Sequence, residues 1–465
     1  MRTFFDISAL ALHLRKRTHY SGIQRVTVEL ATDIARRGGY RDVFLLRLFG
    51  DGPPAAIPLT AEMAETLQDP VLASLILNGR TTPAHWPFLK KYHKKPLKFA
   101  FHKARLKAFA RLGRRHSFRR LKGGEAVFDQ VRAIIAHEGD TAWTPIEGGF
   151  GQGDRVVLLD RPSGPEVVAG LRRARQAGAR VSLMVHDLIP LHRPELVPPR
   201  SPETFRRFLS GSLDYVDQYL ANSVHTRDAL SGWLAEQVRA DPVVAVPLAQ
   251  ASLGGAPAGA GAPDADAAPR PAAAYGALDL VSHGLAHAPF ALSVGTLESR
   301  KNHWRLLRAW AELQARGVEG LPRLVLAGGP GWYNDEAENL LRATGNLGGW
   351  VSVVKTPGDA ALDHLYRRCR FVVQVSLAEG WGLPVGEALA YGKPCLVARV
   401  SSLPEVGADL VEYCDPHSVA SIVAGLERIL PEARQAEMRA RIADSRLRTW
   451  SDVAEDLSAA LTCEA

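Results

Sequence analysis

Residues 254–277 read GGAPAGAGAPDADAAPRPAAAYGA. A run of Ala, Gly and Pro has too few large apolar side chains to build a packed core, so it predicts a linker or an exposed insertion. It also divides a regular alternation. Before it, apolar runs at 3–7, 42–48, 155–160 and 180–186 alternate with amphipathic stretches such as 22–31. After it, runs at 290–295, 324–329, 351–354, 371–375 and 394–398 alternate with stretches such as 304–313. Strands alternating with helices imply a mostly parallel α/β sheet. The expectation is two doubly wound Rossmann-like domains facing across an interdomain cleft. The expected bounds are 1–250, carrying a basic insertion at 88–122; a linker at 251–289; a second domain at 290–445; and a terminal segment at 446–465. Ligands of such sheets bind beyond the carboxyl ends of the strands.

A length of 465 residues fits more than one domain. The four cysteines, Cys369, Cys395, Cys414 and Cys463, form no C-x-x-C pair and read as reduced thiols. The apolar start is broken by Asp6 and lacks a small-residue cleavage site, so no signal peptide is expected. No uncharged run of the length a membrane span needs is visible. These points predict a cytoplasmic protein, with any membrane contact peripheral and on the inner face of the plasma membrane.

The net charge of +8 is local, because residues 90–122 carry 14 Lys and Arg and no Asp or Glu, leaving −6 elsewhere (8 − 14). Leu97, Phe101, Ala104, Ala108 and Leu112 share one helical face, and Lys103, Lys107, Arg111 and Arg114 lie on another. A basic amphipathic helix reads first as binding an anionic membrane surface. A solvated insertion packed on the first domain comes second, and nucleic-acid binding, with aromatics stacking on bases, third.

The stretch 379–390, EGWGLPVGEALA, carries the most chemistry. It follows the apolar run 371–375, so it lies at a strand's carboxyl end. Glu379 and Glu387 can accept hydrogen bonds from sugar hydroxyls. The glycines let backbone N–H groups approach phosphate, and Pro384 fits a first helical position, where a helix attracts anions. Taken alone, the pair also fits acid–base hydrolysis, or a surface loop with an acidic helix start. Arg300 and Lys301 follow a strand and a glycine turn, where they neutralise a phosphate leaving group or form a solvated basic pair. His186 ends the run 180–186, as a ligand contact or as a structural histidine, and Asp187 beside it reads as a loop cap. Gly22 and Gln24 begin a helix whose free N–H groups either face a phosphate or serve only as a helix entry. The one D-x-D, Asp264 to Asp266, lies in the linker, and there is no P-loop motif.

These residues together resemble the family-4 retaining glycosyltransferases of the GT-B fold. The stretch 379–390 is similar to their E-x7-E signature, and SVGTLESRKNH (293–303) to their phosphate-contacting segment. VHDLIPL (185–191) is similar to their N-domain histidine segment, SGIQRV (21–26) to their first glycine turn, and LPEVG (403–407) also fits. The resemblance is closest over 290–410 and leaves out 60–150 and the linker.

It implies a nucleotide-diphosphate-sugar donor as substrate, no cofactor and no metal. His186 and Glu379 would touch the donor sugar as the catalytic pair. Lys301, Arg300 and the Gly380, Trp381, Gly382 and Leu383 backbone would hold the diphosphate, and Glu387 the ribose. Gly22 and Gln24 would adjoin the phosphate or the acceptor. Thr296 stands where many members have an Arg, so the second phosphate cation is either Arg300 or an N-domain Arg. The terminal segment is similar to the family's last helix, which returns to the first domain. The implied function is hexosyl transfer, weakly of a mannose type, to a glycan or lipid-linked glycan in bacterial surface polysaccharide synthesis, such as lipopolysaccharide. The rivals are a sugar-nucleotide epimerase of the same fold and a non-catalytic membrane- or nucleic-acid-binding protein.

Overall fold

The computed structural model describes residues 2–37, 42–48, 53–121, 124–138, 143–162, 164–239, 242–251 and 288–462. The Ala/Gly/Pro-rich run and Cys463 lie outside the described residues. By contact density the chain forms two compact units. One is Met1–Met184 with Leu213–Tyr219, and the other is Val185–Ser212 with Leu220–Ala465.

The first sheet contains β1 (Thr3–Asp6), β2 (Val43–Arg47), β3 (Ala55–Pro58), β4 (Thr144–Pro145), β5 (Arg155–Leu158), β6 (Arg180–Val185), β7 (Gln218–Ala221) and β8 (Val243–Ala245). Its order is β4-β3-β2-β1-β5-β6-β7-β8. Strand β1 runs parallel to both β2 and β5, and β5 parallel to β6. Strands β3 and β4 form an antiparallel edge.

The second sheet contains β9 (Phe290–Val294), β10 (Arg323–Gly328), β11 (Val351–Lys355), β12 (Phe371–Gln374), β13 (Cys395–Ala398) and β14 (Glu412–Cys414). Its order is β11-β10-β9-β12-β13-β14, with every recorded pair parallel. Every residue of β9, β12 and β13 is buried. A parallel sheet covered on both faces requires this, and it is why these strands read as unbroken apolar runs. Leu306, Leu307 and Trp310 of the His303–Ala315 helix pack on that sheet with Phe371 and Leu396. Full burial of each such side chain contributes about 1.5–3 kcal/mol. Cys369, Cys395 and Cys414 are buried free thiols in the same unit.

In chain order the second sheet is 3-2-1-4-5-6, the doubly wound order whose switch point lies between its first and fourth strands, β9 and β12. The loops after those two strands are 295–301 and 375–382, the two segments singled out for phosphate and sugar. Close packing of the first loop depends on glycine. A Cβ on Gly328, at the end of β10, would sit 1.8 Å from the carbonyl oxygen of Gly295. Gly295 itself has φ +148°, and a Cβ there would meet Lys301 Cε at 2.7 Å.

Candidate active site

The site is built outward from the end of β12. Ser376 and Glu379 are buried in the loop that follows. The chain then turns through Gly380, where a Cβ would lie 2.1 Å from the carbonyl oxygen of His186. Gly382 caps the next helix at φ +112°, a conformation other residues rarely adopt. That helix is Leu383–Ala390. It begins one residue earlier than expected, so Leu383 is its first residue and Pro384 its second. Ser402 fixes the turn, its hydroxyl donating to the carbonyls of Glu379 at 3.1 Å and Trp381 at 2.9 Å.

Four charges meet at the switch point. Lys301 Nζ donates to Glu379 Oε1 at 2.5 Å, and Arg300 Nη1 to Glu379 Oε2 at 2.6 Å. Arg300 also donates through Nε to Glu298 Oε1 at 2.8 Å and through Nη1 to the Ala378 carbonyl at 2.9 Å. Glu298, Lys301 and Glu379 are all buried. Burial alone would raise the Glu379 carboxyl, but Arg300 and then Lys301 outweigh it and hold it at about 2. Burial lowers the Lys301 ammonium, and Glu379 opposes that shift. Burial raises Glu298 against the pull of Arg300. Arg300 is raised, because Glu379 and Glu298 together exceed its own desolvation. Its three nitrogens are engaged within the protein, which makes it the strut that orients Glu379, while the single ammonium of Lys301 bonds Glu379 alongside it.

Glu387 lies on the Leu383–Ala390 helix, is 7% exposed, and accepts a 2.7 Å hydrogen bond from the Tyr366 hydroxyl. The Tyr366 ring stacks on Tyr391 at 5.2 Å. Trp381 is buried, and its indole Nε1 donates to the Ala249 carbonyl at 3.4 Å. The Trp381 side chain is thereby committed to packing, and what this turn offers a ligand is the backbone of 380–383.

His186 is the first residue after β6, and its carbonyl contacts Gly380 and accepts from Thr226 Oγ1 at 3.4 Å. It belongs to the same compact unit as Glu379. Asp187 accepts from the Ile189 N–H at 3.0 Å, the loop cap expected for it, and burial raises its carboxyl against the nearby Arg300. A cavity of about 200 Å³ opens here, lined by Asp187, Arg193, His225, Thr226, Glu379 and Ser401 among others. Gly22 and Gln24 lie in the other unit, at the start of the Gly22–Arg37 helix, where Gln24 Nε2 donates to Asp160 Oδ2 at 2.8 Å. Among the described residues, no three or more His, Cys, Asp or Glu side chains are grouped as metal ligands, and no helix is long and apolar enough to cross a membrane.

Sequence reasoning missed four contributors. Glu298 orients Arg300, Ser402 pins the turn and Tyr366 holds Glu387. Glu405 accepts from the N–H groups of Val224 at 2.7 Å and His225 at 2.8 Å, closing the start of the Val224–Glu236 helix beside the cavity. Glu298 and Glu405 stood inside segments already quoted, and an acid within a basic or helix-start motif was their available signal. Tyr366 and Ser402 gave none, since both act through tertiary contacts.

The model of the family described as Glycosyl transferases group 1 matches residues 282–446. The chain is 28% identical over 315 residues to the serotype-specific mannosyltransferase WbdA of Escherichia coli, a match covering 66% of this chain and 37% of WbdA. It is 36% identical over 153 residues to the O-antigen chain mannosyltransferase B of Escherichia coli, covering 33% of this chain and 40% of that protein. The chain therefore spans well under half the length of each of these curated relatives. Among solved structures, Anabaena HepE in complex with UDP and glucose aligns over all of both chains, with TM-score 0.56 and 14% identity. Sucrose-phosphate synthase from Thermosynechococcus elongatus aligns over 99% of this chain and 98% of its own, with TM-score 0.55 and 16% identity. At such identities the structures speak for the fold alone. The chain has the GT-B fold, and its residues 282–446 are a glycosyl transferases group 1 domain.

Proposed function

We propose that this protein moves a hexose from a nucleotide-diphosphate-sugar to a hydroxyl of a glycan or lipid-linked glycan in surface polysaccharide synthesis, with retention at the anomeric carbon. The observation that carries this reading is the Lys301–Glu379–Arg300 cluster at the β9/β12 switch point, inside the group 1 domain. The likeness to two mannosyltransferases favours a mannose-type donor. The acceptor side remains a glycan class.

In this reading the protein positions the donor and stabilises charge. Glu379, held ionised and aimed by Arg300, accepts from a sugar hydroxyl. Lys301 exchanges its bond to Glu379 for a diphosphate oxygen as negative charge builds on the leaving group. The backbone of Gly380–Leu383, at a helix start, binds the same phosphates. Glu387 accepts from the ribose hydroxyls while keeping its bond from Tyr366. His186 borders the sugar. The donor phosphate oxygen facing the acceptor takes the acceptor proton as the new bond forms on the same face.

Incubation with a panel of sugar nucleotides and glycan acceptors tests this. One donor should release nucleoside diphosphate in an acceptor-dependent way, giving a product with the donor's anomeric configuration. An altered free sugar nucleotide formed without any acceptor would instead establish an epimerase.

A further inference from the structure

The basic segment presents a surface that the transfer reading does not use. The helix Pro96–Arg111 has two opposed apolar faces. One is buried, with Leu106 and Ala110 packed inward beside the Gly124–Ala136 helix. The other turns to solvent: Leu97 is 87% exposed, Phe101 63% and Leu112, just past the helix end, 66%, with Ala104 and Ala108 exposed between them. The apolar face expected from periodicity is therefore the outer one.

Basic side chains border this stripe on both sides. At 100° per residue, Lys98 and Arg105 flank one edge and Lys107 and Arg111 the other. Lys91, Lys94 and Lys95 precede it, and Arg114, Arg115, Arg119 and Arg120 follow, all exposed. Among the described residues, the carboxylates recorded against this set are Glu138, paired with Lys107 and Arg111, and Asp129, 3.6 Å from Arg115.

We propose that this face docks on an anionic lipid bilayer, with Leu97, Phe101 and Leu112 entering the interface and the flanking Lys and Arg side chains binding headgroup phosphates. A 16-residue helix with a straight apolar stripe lies flat at such an interface, and each cation near an anionic leaflet adds attraction. A second copy of the chain fits poorly, because two such faces would bring like charges together. A nucleic acid fits poorly too, since Phe101 is the one aromatic on the exposed stripe and neighbouring aromatics are engaged within the protein. Phe118 is buried, Phe99 packs edge-on against His93, and Tyr92 stacks on His102 at 4.1 Å.

Flotation of the full chain with phosphatidylcholine vesicles, with and without phosphatidylglycerol, tests the proposal and needs no substrate. Its failure would therefore leave the transfer reading standing. The expected result is partition onto the anionic vesicles only, weakened by salt. The variant Leu97→Ser/Phe101→Ser/Leu112→Ser should partition about tenfold less with an unchanged circular dichroism spectrum. All three side chains are exposed, so folding should survive their replacement. Three outcomes would overturn the proposal: equal partition of protein and variant, a dimer that only the variant disrupts, or tighter binding to an oligonucleotide than to vesicles.

Discussion

Gly380→Ala is expected to slow transfer about 100-fold while leaving most of the protein folded. The added Cβ would stand 2.1 Å from the His186 carbonyl oxygen and 3.1 Å from Asp187 Cβ. Neither side yields easily. His186 follows directly from β6, and Gly380 lies between Glu379, clamped by two cations, and Trp381, buried and bonded to Ala249. Ser402 holds the carbonyls on both sides of Gly380. Relief of the overlap must therefore move Glu379 or His186, and a 1 Å displacement at a reacting centre costs about 100-fold in rate. Overpacking of this kind lowers stability by about 1–3 kcal/mol. Steady-state kinetics with thermal melts check this. Gly232→Ala serves as the control, since that helical glycine has no atom within 4 Å of an added Cβ. It should be fully active and slightly more stable. Wild-type activity in Gly380→Ala would show that the loop does not need its present path.

Lys301→Met is expected to lower kcat/KM by about 100- to 1,000-fold, the usual loss when one preorganised charge partner of a developing anion is removed. Methionine keeps much of the stem that lies against Gly295 and deletes the charge. The variant should also carry a pH signature. In the folded protein the Glu379 carboxyl sits at about 2, below its ordinary 4.5. A depressed carboxylate stabilises the fold above the unfolded value, and that contribution is lost as pH falls from about 4.5 toward 2. Without Lys301 the folded value moves up, so the contribution is smaller and disappears at a higher pH. Melts from about pH 6 down to about pH 2, which covers that titration, should show the variant losing less stability on acidification than the wild type, with the loss levelling off at a higher pH. Arg300 still holds Glu379 in this variant, so the carboxylate stays aimed and the kinetic loss reports on the phosphate side.

Strands β1, β2, β5, β6 and β9 to β13 and the two motif loops were legible in the sequence because their causes are local, whereas the short strands β7, β8 and β14 were not anticipated. Strands β9, β12 and β13 are buried on both faces and read as continuous apolar runs. Glycine marks the loops because backbone passes close by at Gly328 and Gly380, and the Lys301 side chain at Gly295. The edge strands β3 and β4 were not legible. Ala55–Pro58 and Thr144–Pro145 are short, end in proline and pair across a long separation. The roles of Arg300 and Lys301 could not be separated by reading two adjacent cations, since Glu298 and Ala378 decide between them. Periodicity grouped Leu97, Phe101 and Leu112 correctly. It could not say that the opposite face, with Leu106 and Ala110, was the one that packs, because a helix apolar on both sides gives no preferred direction.

The central claim is that Glu379 and Glu387 form a donor clamp, one carboxylate for the sugar and one for the ribose, rather than an acid and a base. Calorimetric titration of the nucleotide-sugar into Glu387→Gln measures this most directly. Glutamine keeps the volume and an acceptor for Tyr366, so the site stays intact. The account predicts about tenfold weaker binding of both the nucleotide-sugar and the bare nucleoside diphosphate, the difference between a charged and a neutral acceptor. Unchanged affinity for both, with transfer lost, would contradict it and return Glu387 to the chemistry of the bond being broken.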